Sequence, residues 1–326
     1  MVRYFCRRTA QSLIILLGVS VIVFALVNLI PGNPYLSMFS PDIPTDQIEA
    51  KLRDVGYYDS LPVKYVKWLG RIARGDAGYS IFYREPVMRV IGSRMGNTAL
   101  LSVAAIFIST TLGIGLGIFS ARKRGAFADV GISVTVFIVL SIPTFFFALI
   151  LIKIFGANLR WLPVSGMHTV YKNYRGLDMA IDVARHMILP AAILGMYNAA
   201  AMLRYTRGSV ISVLRSLYIS AARARGIPER VVVYRHTLKN AMIPIITVLS
   251  LQIPSLLSGA LITETVFLWP GIGRLSFEAV SNRDYPLVMG ILLVMAVITL
   301  VSNFAADMCY ALIDRRVTIE NTRGAE

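Results

Sequence analysis

Charge is scarce in this chain: Asp, Glu, Lys and Arg make up 16% of its 326 residues, against 56% hydrophobic. With a mean hydropathy of +0.64, that excludes an ordinary soluble domain, whose charged share is about a quarter. Cysteine is scarcer still. Cys6 and Cys309 are the two present, near the ends of the first and last apolar runs, so no disulfide framework or cysteine metal cluster is expected. The three histidines, His168, His186 and His236, read as loop residues and lack the spacing of a metal site or catalytic pair. No phosphate-binding GxxxxGK[ST] loop and no HExxH zinc motif occurs, so neither ATP hydrolysis nor metalloprotease chemistry is expected on this chain. Gly113, Gly115 and Gly117 imitate the start of a dinucleotide fingerprint, but they sit inside an apolar run, where close helix packing through Gly113 and Gly117 is the expectation. Internal repeats and inverted duplications are absent, which leaves one membrane domain.

Six apolar stretches are present, about the length needed to cross a bilayer core: 10–30, 98–119, 130–155, 187–203, 243–263 and 287–310. The first is long enough to be a retained helix and not a cleaved leader, and the fourth is interrupted by Pro190 and Gly195. Basic residues, 33 against 18 acidic, gather between alternate stretches. Arg3, Arg7, Arg8, then Arg122, Lys123, Arg124, then a cluster over 204–239, then Arg315, Arg316 and Arg323 fall on one side. By the positive-inside rule that side is cytoplasmic and both termini lie there. Trp68, Trp161 and Trp269 fall on the other side, the latter two near helix ends, where headgroup placement is expected. The segment after the first stretch opens with Pro31, Pro34, Pro41 and Pro44. Later it sets Tyr65, Trp68, Leu69 and Ile72 on one helical face, suited to lying along the membrane surface. Lys153, Glu264 and Asp307 are charged residues close to predicted span ends, which favours structural placement. Glu264, opening a turn with Pro270 and Gly271, is the candidate for helping to close an external gate.

The most informative segment is 208–240. Leu214, Leu217, Tyr218, Ala221 and Ala222 recur at helical spacing, Gly226 and Pro228 punctuate, and a second helical pattern follows through Val231, Val232, Tyr234 and Arg235. Ala221 and Ala222 allow close approach to a partner surface, and Arg223, Arg225 and Arg230 offer it charge. A solvated basic loop and a helix-turn-helix DNA reader are the plain alternatives, but a DNA reader needs no flanking membrane spans.

The run from Tyr218 through Ser220, Ala221, Ala222, Arg223 and Arg225 to Gly226, followed by His236, Leu238, Asn240, Ala241 and Pro244, resembles the EAA loop of ABC-importer permeases. Ser220 stands at that motif's glutamate position. Further segments resemble the dipeptide, oligopeptide and nickel branch: Arg7 and Arg8; Pro31, Gly32, Asn33 and Pro34, with Asn33 where aspartate is usual; Leu162 to Gly166; His186 to Pro190. The most specific run is Thr263 to Phe267, then Trp269 to Arg274, then Arg283 to Pro286. The resemblance covers nearly the whole chain. It implies an all-α membrane protein with the type I importer transmembrane fold, about six spans, and no catalytic or metal site of its own. The parts implied are an N-terminal span (1–30), an external segment (31–97), a core (98–313) with the coupling loop 208–240, and a cytoplasmic tail (314–326). It further implies residence in the bacterial inner membrane, a second homologous permease, two subunits that bind ATP and Mg, and an external substrate-binding protein, with no nucleic acid. Coupling to the ATPase falls to Tyr218, Ser220, Ala221, Ala222, Arg223, Arg225 and Gly226. Short peptides are the substrate expected, with nickel chelates or other small solutes as alternatives. An ion-coupled carrier using Lys153 and Asp307, or a membrane scaffold, are the readings from other classes.

Overall fold

The computed structural model describes residues 2–29, 45–54, 56–172 and 174–313. The side chains of Cys6, Asp307 and Cys309, the 31–44 stretch with Asn33, and the 314–326 tail with Arg315, Arg316 and Arg323 lie outside the described residues. The described chain is helical. Four helices are long and apolar enough to cross a membrane: α1 (Val2–Leu29), α4 (Val87–Arg122), α7 (Leu177–Leu214) and α13 (Tyr285–Ile313). Two bent pairs bring the total to six if each is one span.

The third span was expected to run unbroken over 130–155. Instead α5 (Phe127–Ser141) and α6 (Thr144–Leu151, prolonged by a π-helical turn over Ile152–Asn158) meet at 101°. Pro143 offers no N–H and forces the preceding residue out of helical geometry, so Ile142 is extended at φ −87°, ψ 126°. The fourth span is a single helix: Pro190 and Gly195, which interrupt its apolar run, sit within an unbroken α7. Leu189, Pro190, Ala191 and Ile193 are all buried there, and packing on several sides holds a helix that loses one hydrogen bond. The fifth span is shorter than 243–263. The segment entering α10 (Leu238–Leu257) bends by 51° at Pro244, and the helix ends before Gly259, whose φ of +95° is open only to glycine without strain. Leu261–Val266 forms a separate helix, α11.

The core is built where α4 crosses α7. A Cβ on Gly113 would lie 2.5 Å from the Cβ of Met202, one on Gly117 2.7 Å from the Cβ of Thr206, and one on Gly195 2.6 Å from the Cβ of Ile108. Small residues at these three points let the two backbones approach, as expected for Gly113 and Gly117. At 1.5 Å per residue α4 is about 54 Å long, longer than a hydrocarbon core of about 30 Å. Its first turns (Val87, Val90, Ile91) pack on α12 (Ile272–Ser281) and α13. Its last turns (Ile118, Ala121) pack on Val210, Val233 and Ala241. The molecule therefore has two distinct ends. α3 (Leu61–Ala73) lies against α1 through Trp68 and Tyr65, both on Phe24, and the Tyr65 hydroxyl hydrogen-bonds Ser20 Oγ at 2.8 Å. The face carrying Tyr65 and Trp68 thus meets protein.

Candidate functional site

At one end of the bundle, α7 passes through Arg215 and Ser216 into α8 (Leu217–Ala224). Ser216 is extended (φ −74°, ψ 148°) at the helix start, the conformation of an N-cap. Ile219 is buried and anchors α8, whereas Leu217 is 90% exposed and Tyr218, Ser220, Ala221, Arg223 and Arg225 also face outward. Ala222 is half-buried. Gly226 closes the helix with its N–H on the Arg223 carbonyl at 2.9 Å and φ of +73°, a left-handed value. Pro228 precedes α9 (Glu229–Val231), which runs through a π-helical stretch, Val232–Thr237, into α10. Val232 and Val233 of that stretch are buried.

Two contacts stiffen this turn. Arg223 donates from Nε and Nη2 to the two oxygens of Glu229, at 3.0 and 2.6 Å. Asn240 Nδ2 donates to the Tyr218 hydroxyl at 3.0 Å. Arg223, offered by the sequence as charge for a partner, also braces the turn, and it is exposed together with Arg225 and Arg230.

At the opposite end Glu264, Pro270 and Gly271 come together. Glu264 is 0% exposed: Oε1 accepts from the Thr98 hydroxyl at 2.9 Å and Oε2 from the Arg274 N–H at 3.0 Å, while Thr98 Oγ1 accepts from the Ile272 N–H at 2.8 Å. The carboxylate therefore sits on the first turn of α12, whose unpaired N–H groups and positive dipole end favour an anion. A Cβ on Gly271 would lie 2.4 Å from that carboxylate. Asn97 completes the fastening, donating to the Pro270 carbonyl at 2.8 Å and accepting from Trp269 Nε1 at 3.0 Å. Trp269 is 0% exposed, so it is a core residue and not the headgroup anchor expected; its indole fills the space between α4 and α7. Glu278 accepts from Arg274 Nε at 2.7 Å and from the Tyr83 hydroxyl at 2.5 Å. Burial, then this carboxylate, push the Tyr83 hydroxyl up to about 12. Glu264 is enclosed, and its hydrogen bonds and those of Thr98 join α11, α12 and the first turns of α4 into one plate.

The other candidates separate. Lys153 is exposed on the π-helical turn, His168 lies in an exposed loop, and His236 is half-buried in Val232–Thr237. His186 is a buried residue of α7 and not a loop residue, with Nδ1 2.8 Å from the Asp182 carbonyl. Among the described residues no cluster of His, Cys, Asp and Glu could hold a metal.

Residues 113–319 match the family described as "Binding-protein-dependent transport system inner membrane component", and residues 1–102 match the N-terminal region of such membrane components. The chain belongs to this permease family. It is 38% identical over 97% of its length, and 99% of the relative's, to the "Oligopeptide transport system permease protein AppB" of Bacillus subtilis. It is 36% identical to the "Di/tripeptide transport system permease protein DppB" of Pseudomonas aeruginosa, with 97% of this chain and 99% of that one covered. Against the "Dipeptide transport system permease protein DppB" of Escherichia coli the figures are 33%, 97% and 99%. In fold the permease is similar to a chain of the inward-facing MetNI methionine ABC transporter, at TM-score 0.55 and 15% identity over 70% of this chain and 97% of that one.

Three polar contacts of the permease escaped sequence reading. Asp129 on α5 meets Arg207 on α7, with Nε and Nη2 each 2.8 Å from a carboxylate oxygen. Gln252 on α10 accepts from Ser109 on α4 at 3.1 Å and donates to the Asn198 carbonyl on α7 at 3.1 Å. Asp284 accepts from the Ser80 hydroxyl and the Phe82 and Leu287 N–H groups, tying the stretch before α4 to the start of α13. Asp284 alone carried a local signal, an acidic N-cap before an apolar run. The partners of the other two are far away in sequence.

Proposed function

We propose that this permease is one of two similar pore-forming subunits of a type I importer for di- or oligopeptides. The substrate class is supported by full-length relatives whose names specify oligopeptide, di/tripeptide and dipeptide transport. ATP and Mg belong to two separate subunits, one of them docked on α8, and an external binding protein delivers cargo at the α11–α12 end. Both termini face the cytoplasm of a bacterial inner membrane. That orientation puts Arg122, Lys123, Arg124 and the basic residues around α8 inside.

The observation that carries this reading is α8 itself. A short helix anchored by Ile219 presents Leu217, Tyr218 and Ala221 outward and is stiffened by Gly226 and the Arg223–Glu229 brace. A stiff, partly apolar, exposed element continuous with a spanning helix suits a lever that another subunit grips. The mechanism is alternating access. The ATP-bound subunits favour one arrangement of α7 over the other through contacts made to α8 in that arrangement alone, since equal binding to both shifts nothing.

The test is uptake of labelled trialanine by the complex, isolated through a tag on this chain and reconstituted in liposomes with its binding protein. Uptake that needs ATP on the α8 side supports the reading. Uptake driven by a proton gradient without ATP overturns it.

A further inference from the structure

Helix α5 has little apolar hold on the molecule. Phe127, Val130, Val134, Phe137 and Ile138 are all exposed, and its buried residue is Asp129. That carboxylate takes the bidentate fork of Arg207 at 2.8 Å on both oxygens, the Ser120 hydroxyl, and the Gly125 N–H at 3.0 Å. At the other end of the helix the Ile142 carbonyl, at the break before Pro143, accepts from the Tyr197 hydroxyl. Arg207 and Tyr197 both belong to α7, roughly 15 Å apart along its axis. So α7 holds α5 by a polar contact at each end.

The same α7 leads into α8. Beyond the break, α6 packs Ala148 with Leu189, Ile193 and Phe267, the last beside α11. Packed elements therefore run from α8 through α7 to α6 and α11, with α5 joined to α7 at both ends and leading by chain into α6. A buried ion pair adds little net stability over well-packed apolar side chains. What the planar fork does supply is a fixed relative orientation, which sliding apolar surfaces do not.

We propose that Asp129 and Arg207 form a positioning contact that makes α5 move with α7, so that a displacement of α8 carries the exposed α5 span with it instead of leaving α5 behind. The proposal rests on the importer reading above. It is tested in the reconstituted complex by comparing trialanine moved per ATP hydrolysed in the unaltered chain and in the double variant Asp129→Leu/Arg207→Met, which exchanges the pair for apolar side chains. The expected result is a thermal midpoint near that of the unaltered complex, continued hydrolysis, and transport per ATP lowered about fivefold. Unchanged transport per ATP overturns the proposal and leaves the pair a structural clamp. Should the double variant fail to fold, Arg207→Lys, which keeps the charge and loses the fork, decides in the same way: a lowered ratio supports, an unchanged ratio overturns. Absence of ATP-dependent uptake by the unaltered complex overturns the importer reading, and this proposal with it. A normal unaltered complex beside a normal variant overturns this proposal alone.

Discussion

Arg223 and Glu229 face each other across the turn at Gly226, with the guanidinium Nε and Nη2 3.0 and 2.6 Å from the two carboxylate oxygens. The pair is about half exposed, so it contributes under about 1 kcal/mol to stability. Its effect is on shape. Arg223→Gln and Glu229→Gln should each leave the thermal midpoint nearly unchanged and lower peptide transport per ATP. The double variant should be no worse than either single, because both remove one contact. Additive losses would show that Arg223 meets the partner subunit directly.

Gly226 has φ of +73° and open space where a Cβ would stand, so substitution acts through the backbone and not through a clash. Left-handed geometry costs an ordinary residue about 1–2 kcal/mol, and asparagine least. Gly226→Val should uncouple hydrolysis from uptake, and Gly226→Asn should retain most coupling. Equal behaviour of the two variants, measured as transport per ATP, would remove the backbone argument.

Much of this was legible in advance, for identifiable reasons. Spans follow from hydropathy, because lipid requires an unbroken apolar run; the helix, turn and helix around Gly226 follow from glycine and proline chemistry. What a proline does inside a span was not legible. Pro143 breaks a helix that is largely exposed along its length, whereas Pro190 is held straight by buried neighbours, and nothing local distinguishes them. Trp269 near a span end suits a headgroup anchor equally well, until Asn97, far away in sequence, is seen to accept from its indole. Asp129 and Arg207 lie 78 residues apart, and their meeting is a tertiary fact.

The α4–α7 crossing makes a contrast between two nearby glycines. A Cβ on Gly113 would collide with Met202, while one on Gly115 would meet nothing within 4 Å. Gly113→Ala should lower the thermal midpoint, with an overpacking cost of about 1–3 kcal/mol. Gly115→Ala should leave it unchanged or slightly raised. Thermal unfolding of both variants in the same detergent checks this.

Glu264 accepts two hydrogen bonds in a fully buried site. Glu264→Gln turns an amide N–H₂ toward one of those donors and leaves it unpaired, at a cost of about 1–3 kcal/mol. Loss of stability should therefore precede any change in transport. A stable variant with altered substrate range would instead make Glu264 part of the pathway.

The most direct test of the central claim, that α8 is an inner-side surface gripped by a nucleotide-hydrolysing subunit, uses the exposed Ala221. In a chain with Cys6 and Cys309 replaced by serine, Ala221→Cys is treated in intact cells with a membrane-impermeant maleimide and, in the isolated complex, with a short thiol cross-linker. The account predicts no labelling from outside and a cross-link to an ATP-binding subunit. Labelling from outside, or a cross-link to no such subunit, contradicts it.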